Sequence, residues 1–465
     1  MKDPTHHLPS RREFLVNTGR LAAASALAGT AIPYVHAAEN NTIQVALIGC
    51  GGRGTGAAQN ALSVTPENGP TKLVAMADVF ENRLSSSYNG LKRKVGDKID
   101  VPAERKFIGF DAYQKAMDCL RPGDIAIFTT PLAFRWVHFG YAISKGLNVF
   151  MEKPLSADGP TSRRLLKLAD DATAKNLKCG VGLMSRHSRA LQELQQRTQD
   201  GEIGDVIFMR GYRMQGGGGS AYSTKWPGEP SELLWQIRRF HSFLWASGGA
   251  FSDFNIHIID HLCWMKNDWP IKAQGVGARH SKEDAEGRPY VDQNFDNYAV
   301  EYIFHDGARM LMEGRCMTGC NDIYSSYVHG SKGIATASAH GDCGMPSSIF
   351  KGQNTDRANR LWTSDVPKDQ GDPYTNEWND LIEAIRNDKP YNEVKRGVQA
   401  SAVTSMGRMA AHTGQVIEYE DFLNSTHEYA PGVDNLTFDS PAPLIAGSDG
   451  KYPIPMPGIK RDREY

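Results

Sequence analysis

Residues 41–62 read NTIQVALIGCGGRGTGAAQNAL. IQVALI, at 43–48, is short, apolar and β-branched, which predicts a strand buried on both faces. Gly49, Gly51 and Gly54 then stand in the spacing G-x-G-x-x-G, with Gly52 and Arg53 inside the turn, and a helical pattern follows. Each glycine has a physical task in such a turn. The first permits the tight bend, the second lets backbone approach a pyrophosphate, and the third lets helix and strand pack closely. The helix N-terminus then faces the anion.

A second strand pattern, TKLVAMAD at 71–78, ends on Asp78. An acid about 20 residues beyond the last glycine is placed to bind a ribose 2′-hydroxyl and to repel a 2′-phosphate. NAD, rather than NADP, is the expected cofactor. The alternation continues with DIAIFTTP at 124–131 and AISKGLNVFMEKP at 142–154. Ligands of open α/β sheets bind at the carboxyl ends of the strands. Thr130, Pro131, Glu152, Lys153 and Pro154 therefore belong on the cofactor side. An NAD-binding Rossmann domain with a parallel sheet is expected over 40–160.

G-x-G-x-x-G at 49–54, T-P at 130–131 and E-K-P at 152–154 occur in this order. In this the chain resembles the Gfo/Idh/MocA oxidoreductases, over roughly residues 42–420. The resemblance implies a sugar substrate and a second α/β domain that closes over the nicotinamide. That domain often forms the oligomer interface, which implies a homo-oligomer, a dimer or tetramer. The residues themselves agree with a change of architecture. DVIFMRGYRM (205–214), NYAVEYIF (297–304) and ARMLMEGR (308–315) alternate and read as antiparallel strands. A large, mainly antiparallel sheet is expected in a substrate and oligomerisation domain over 161–425.

SGGAFSDFNIHIIDHLCWM at 247–265 has a helical pattern. Asp253 and His257 are four apart and share one face. By residues alone, Asp253 could be a helix-start residue and His257 a core histidine. The stretch also resembles the family pattern G-G-x-x-x-D-x-x-x-H-x-x-D. Carried over on that resemblance, Lys153, Asp253 and His257 form the catalytic group. Taking hydride from a carbinol requires a base for the hydroxyl proton, and an imidazole has a suitable intrinsic pKa. Lys153 would stabilise the developing alkoxide, and Asp253 would orient the imidazole or hold the sugar. His257 and His261 also share a face, but the zinc signature H-E-x-x-H would need an acid where Ile258 stands. No metal is expected.

Two departures from the simple family pattern stand out. Asn255 occupies a position that is often glycine. The segment 211–249 carries four consecutive glycines, Gly216 to Gly219, and then many aromatic and basic residues. Tyr212, Arg238, Arg239 and His241 are expected at the substrate; a buried aromatic helix with a solvated basic face is the alternative. This insertion resembles a secreted subgroup similar to NAD-dependent α-N-acetylgalactosaminidases. Three functions therefore stay open. They are hydride transfer between a sugar carbinol and a tightly held NAD, redox-neutral cleavage of a glycoside through the same cofactor, and a non-catalytic carbohydrate-binding scaffold.

Bulk properties narrow the field further. The chain has 465 residues and a net charge of −1, with 40% hydrophobic and 23% charged residues. Two or three domains are expected, and nothing points to a nucleic acid partner. No apolar run reaches the roughly 18–20 residues of a membrane span. The seven cysteines include no C-x-x-C, which argues against a disulfide framework or a zinc ribbon. SRREFL at 10–15, followed by a mildly apolar stretch and VHA at 35–37, resembles a twin-arginine export signal. Residues 1–37 are read as that signal peptide, and a periplasmic or secreted location is expected. Residues 426–465, with six prolines, are read as an extended arm towards a neighbouring subunit.

Overall fold

The computed structural model describes residues 41–280 and 282–465, so the signal peptide read at 1–37 lies outside the described residues. The first sheet contains β1 (Ile43–Ile48), β2 (Thr71–Asp78), β3 (Lys106–Ile108), β4 (Ile125–Phe128), β5 (Asn148–Met151) and β6 (Cys179–Val181). All are parallel, in the order β3-β2-β1-β4-β5-β6. β1 shows why its sequence is apolar throughout. Ala46 and Ile48 enter one core with the helices Arg135–Ser144 and Gly159–Ala174. Ile43, Val45 and Leu47 enter another, with Gly52–Ala61 and Glu81–Val95. Both faces are covered, as a doubly wound sheet requires. The strand order reverses between β1 and β4, and that crevice is the ligand-binding end of such folds.

The boundary expected at residue 160 comes instead after β6. The helix Gly159–Ala174 buries Leu165, Ala169 and Ala172 against the first sheet, and β6 then pairs with β5.

The second sheet contains β7 (Val206–Gln215), β8 (Lys272–Ala278), β9 (Asn297–Ile303), β10 (Arg309–Cys316), β11 (Ile323–Gly330), β12 (Gly333–Ser338), β13 (Ser348–Lys351), β14 (Arg360–Thr363) and β15 (Ile417–Glu418). Its order is β14-β13-β12-β11-β7-β10-β9-β8-β15. Every pairing is antiparallel except β7 with β10. β9 and β10 alternate buried with half-buried residues, so one face packs on helices and the other is open.

Two helices join the halves. Val394–Thr413 places Val394 and Val398 in the core of the first sheet, then Val403, Met406 and Ala410 in that of the second. Pro373–Arg386 sets Trp378, Leu381 and Ile382 against the first sheet. The segment 426–465 packs in part on its own chain, burying Tyr429, Ala430 and Val433 with Phe134 and Trp245.

Among the described residues no helix is long and apolar enough to cross a membrane. All seven cysteines are free.

Candidate active site

The turn after β1 is built by its glycines. Gly49 has φ +96°, and a Cβ there would lie 2.8 Å from the backbone of Thr129. A Cβ on Gly54 would lie 2.1 Å from the carbonyl oxygen of Gly49. A Cβ on Gly51 would meet nothing within 4 Å, so that position faces open space. The space is a groove of about 610 Å³, lined by Gly49, Gly51, Gly52, Arg53, Gly54, Asp78, Thr130 and Pro131 among others. Every cofactor residue expected from the first two βα turns and from Thr130–Pro131 therefore lines one groove. Asp78 accepts the backbone N–H of Cys50 at 2.6 Å and of Phe80 at 2.9 Å. Burial raises its pKa, and those N–H groups offset part of the rise.

A cleft of about 400 Å³ adjoins the groove and shares Gly52, Arg53, Thr130, Pro131 and Phe240 with it. Glu152, Lys153, Asp253, His257 and His241 line the cleft. Lys153 Nζ donates to the carbonyl of Asp253 at 2.7 Å and lies 3.3 Å from its Oδ1. His241 Nε2 lies 3.1 Å from Asp253 Oδ2, and Ser220 Oγ is 3.0 Å from its Nδ1. Burial alone would raise the pKa of Asp253. The Lys153 ammonium and His241 outweigh it and hold the carboxyl well below the usual range. Asp253 is thus a carboxylate clamped between two donors.

His257 is neutral. Burial pushes it down to about 3, and Lys153 and Arg213 add to the fall; the Asp342 and Asp253 charges oppose it. Its Nδ1 is buried without a partner. An unprotonated imidazole with opposing carboxylates can receive a proton and be stabilised once charged.

The helix Gly249–Lys266 sorts its polar residues by face. Asp253 and His257 face the cleft. Asp260 is held by the guanidinium of Arg186 at 2.8 Å, and His261 Nε2 lies 2.8 Å from Ser326 Oγ. His261 is therefore a structural histidine of the second sheet. Asn255 is accommodated by a glycine opposite, since a Cβ on Gly314 would lie 2.5 Å from Asn255 Nδ2.

The four expected substrate residues separate. His241 reaches the cleft. Arg238 instead lies over the ring of Phe80 at 4.7 Å, by the groove. Arg239 turns away to Ser223 Oγ at 2.8 Å and to the carbonyl of Tyr222. Tyr212 lies on the open face of the second sheet, 6.5 Å from the ring of Tyr327. The reason is strand parity: Gly211 packs on Ile258 of the helix, so its neighbour Tyr212 points to the other face.

Sequence reasoning missed several groups. Tyr374, from the first turn of Pro373–Arg386, lines the cleft and stacks on Arg53 at 4.6 Å. Arg135 is buried and holds the end of β4 through the carbonyls of Phe128 at 2.6 Å and Thr130 at 3.0 Å. Asp342, which accepts from Tyr324 at 2.6 Å, supplies the charge that most favours protonated His257. Tyr374 and Asp342 come from segments that carry no motif. Arg53 also bonds Glu152 at 2.5 Å, and the buried Glu377, whose oxygens accept no hydrogen bond, lies 3.9 Å from its Nη2. Among the described residues no group of His, Cys, Asp and Glu could hold a metal.

Residues 237–419 match the family model "Oxidoreductase family, C-terminal alpha/beta domain" of Gfo/Idh/MocA proteins. The second domain is similar over these residues to the C-terminal domain of that family. The chain is 26% identical over 273 residues to scyllo-inositol 2-dehydrogenase (NAD(+)) of Bacillus subtilis (strain 168), covering 57% of this chain and 65% of that relative. It thus spans just under two thirds of that relative's length. A levoglucosan dehydrogenase in complex with NADH and levoglucosan superposes with TM-score 0.61 at 18% identity, over 82% of this chain and 100% of that one. The aldose-aldose oxidoreductase from Caulobacter crescentus, complexed with glycerol, gives TM-score 0.59 at 16% identity, over 81% and 100%. These structures share the fold of this chain.

Proposed function

We propose that the chain is an NAD-dependent Gfo/Idh/MocA oxidoreductase that transfers hydride between a sugar or polyol carbinol and a tightly held NAD. One observation carries this reading. Lys153, Asp253 and His257 converge in a cleft that opens onto a groove shaped for a dinucleotide.

The residues fit the cofactor. Gly54 leaves no room for a side chain between turn and helix, Gly51 leaves the groove open, and Asp78 stands at the end of β2. The turn after β1 would hold the pyrophosphate and Asp78 the ribose. Bound there, NAD supplies the hydride acceptor. The chain's own groups do the rest. His257 takes the hydroxyl proton, and its imidazolium is stabilised by Asp253 and Asp342. Lys153 places its positive charge where alkoxide character develops, which stabilises that charge more than the ground state. Asp253 keeps Lys153 in place and accepts from His241.

Retention of the cofactor is supported by Ile237 and Phe240, which come from the second domain yet line the groove, and by Arg238 over Phe80. Retention also accounts for the export motif. A cofactor loaded before export of the folded chain to the periplasm or beyond would be reset within each turnover, by a second sugar or by redox-neutral glycoside cleavage. Phe208, Tyr212, Leu311 and Val276 on the open face of the second sheet support a homo-oligomer.

The test is to purify the mature protein without added cofactor, denature it and assay NAD(H) per chain. About one equivalent, with turnover of an inositol, aldose or glycoside panel without added NAD, is expected. A stripped protein that neither binds added NAD nor turns over any of the panel overturns the reading. Release of aglycone without net NADH selects the glycosidase branch.

A further inference from the structure

Arg408 lies in the middle of the helix Val394–Thr413, is wholly buried, and touches neither groove nor cleft. Its five N–H groups are all used. Nε donates to Glu464 Oε1 at 2.8 Å, and Nη2 donates to Glu464 Oε2 and to the carbonyl of Ala157, both at 2.9 Å. Nη1 donates to the carbonyl of Gly248 at 3.0 Å and to Ser252 Oγ at 2.8 Å. Ala157 stands four residues after Lys153. Ser252 immediately precedes Asp253, and Gly248 caps the helix that carries it. One guanidinium therefore bonds both segments whose side chains meet in the Lys153–Asp253 pair.

The orientation of that guanidinium is fixed by Glu464. The carboxylate is fully buried, takes the Nε–Nη2 edge of Arg408, and also accepts from His412 Nδ1 at 2.7 Å and from the hydroxyl of Tyr429. Burial disfavours the charge on Glu464, but Arg408 and His412 hold its pKa below the usual carboxylate range. The local backbone is shaped to admit the contact. Gly248 has φ +71°, and a Cβ there would lie 2.7 Å from Arg408 Nη1. About two turns earlier in the same helix, Ser401 accepts the N–H of Leu155 at 2.9 Å.

We infer that Arg408, locked by Glu464, is a positioning residue that sets the register between the Lys153 segment and the Asp253 helix, so that seating Glu464 assembles the site. The expected effect on turnover rests on the hydride-transfer reading above; the effect on local order does not. A planar fork is required, because an ammonium cannot reach two carbonyls, a hydroxyl and a carboxylate at once.

The full-length chain is tested as Arg408→Lys, as the double variant Arg408→Met/Glu464→Leu, which strands no buried charge, and as Ser252→Ala, which removes a single anchor. Three quantities are read: NAD affinity, amide exchange by peptide, and kcat against KM. The expected result is a folded protein with NAD affinity near that of the parent. Exchange should quicken in peptides covering 155–158 and 249–256, and kcat should fall by about 10- to 100-fold with KM little changed, the penalty of a small misplacement of reacting groups. Ser252→Ala should show the same pattern, weaker. Parent-like exchange in both segments overturns the inference, as does quickened exchange spread evenly over the chain with activity lost in proportion to unfolding. If the parent itself shows no hydride transfer, the function is wrong, and the exchange pattern alone decides the inference.

Discussion

Lys153 donates to the backbone carbonyl of Asp253 at 2.7 Å while facing the carboxylate of the same residue at 3.3 Å. The lysine thus reads the position of the helix as well as the charge of its side chain. Removing the ammonium takes away the charge beside a developing alkoxide and the main partner of a buried carboxylate. Lys153→Met should lower kcat by about 10²–10³-fold, the loss typical of one transition-state donor, while NAD affinity stays near parental. Steady-state kinetics alongside a cofactor titration check this. Parental kcat would place the chemistry elsewhere.

Of His241 and Tyr212, both of which the sequence points to as substrate residues, His241 lines the cleft and Tyr212 does not. A hydrogen bond to a charged group contributes about 1.5–3 kcal/mol. His241→Ala should therefore reduce kcat/KM by about 10- to 100-fold. Tyr212→Ala should leave kcat/KM within about twofold, since surface changes away from a site rarely exceed about 0.5 kcal/mol. Comparable losses in the two variants would contradict the geometry.

Two glycines of one turn should behave differently. Gly54→Ala forces a Cβ to 2.1 Å from a backbone oxygen. It should destabilise the fold by about 1–3 kcal/mol, the usual cost of overpacking, and abolish cofactor binding. Gly51→Ala meets no atom within 4 Å. Its melting temperature should be unchanged while NAD affinity drops, because the added methyl enters the space left for the pyrophosphate. Urea titration and NAD binding on both variants separate the effects.

Glu377 is buried with neither carboxyl oxygen hydrogen-bonded. Burial first, and then the neighbouring Glu152, push its pKa well above the usual range, against the pull of His187 and Arg53. A raised carboxyl pKa is a cost to folding above the unfolded value near about 4.3. Glu377→Gln should remove that cost and stabilise the protein at pH 7, with activity retained. At about pH 4, where both states are largely protonated, the gain should vanish. A lower melting temperature at pH 7 would show that Glu377 is an anion held by Arg53.

The acid limb of stability comes in large part from buried imidazoles. His138 and His257 are pushed down to about 3 and His261 to about 4, burial being the largest cause in each. The unfolded chain therefore binds protons that the folded one refuses. This contribution is complete above the unfolded value near pH 6.5 and is lost as pH falls towards 4, by about 1.4 kcal/mol per pH unit for each imidazole. His187 acts in the other direction. Burial lowers it, but Glu393 and Asp380 outweigh burial and raise it to about 9. Its stabilisation is complete below pH 6.5 and is lost as pH rises through 9. Urea unfolding across this range should show a maximum near neutrality, and a flat profile between about pH 4.5 and 6.5 would exclude neutral imidazoles in the core.

Much of the first domain is legible because its constraints are local. A buried strand must be apolar, a turn with φ +96° at Gly49 favours glycine, and an acid at the end of β2 reaches the groove. Asp253 and His257 are legible from helix periodicity together with the family pattern. The rest depends on long-range placement. Tyr374 and Asp342 reach the site from the far side of the fold, 221 and 189 residues beyond Lys153, and no spacing rule links them to it. Tyr212 and Arg239 lie away from the cleft because residue type does not reveal which face of a strand or turn a side chain takes. The segment 426–465 has little periodicity, since its burial rests on single anchors such as Glu464 and Tyr429 rather than on a repeated face.

Asn255 and Gly314 occupy one another's space across the packing of helix on sheet. A side chain at 314 is admitted only if the Asn255 amide turns away or shortens, so the two positions are coupled. Gly314→Ala should cost less stability in an Asn255→Gly background than in the parent, a coupling that neither single substitution reveals.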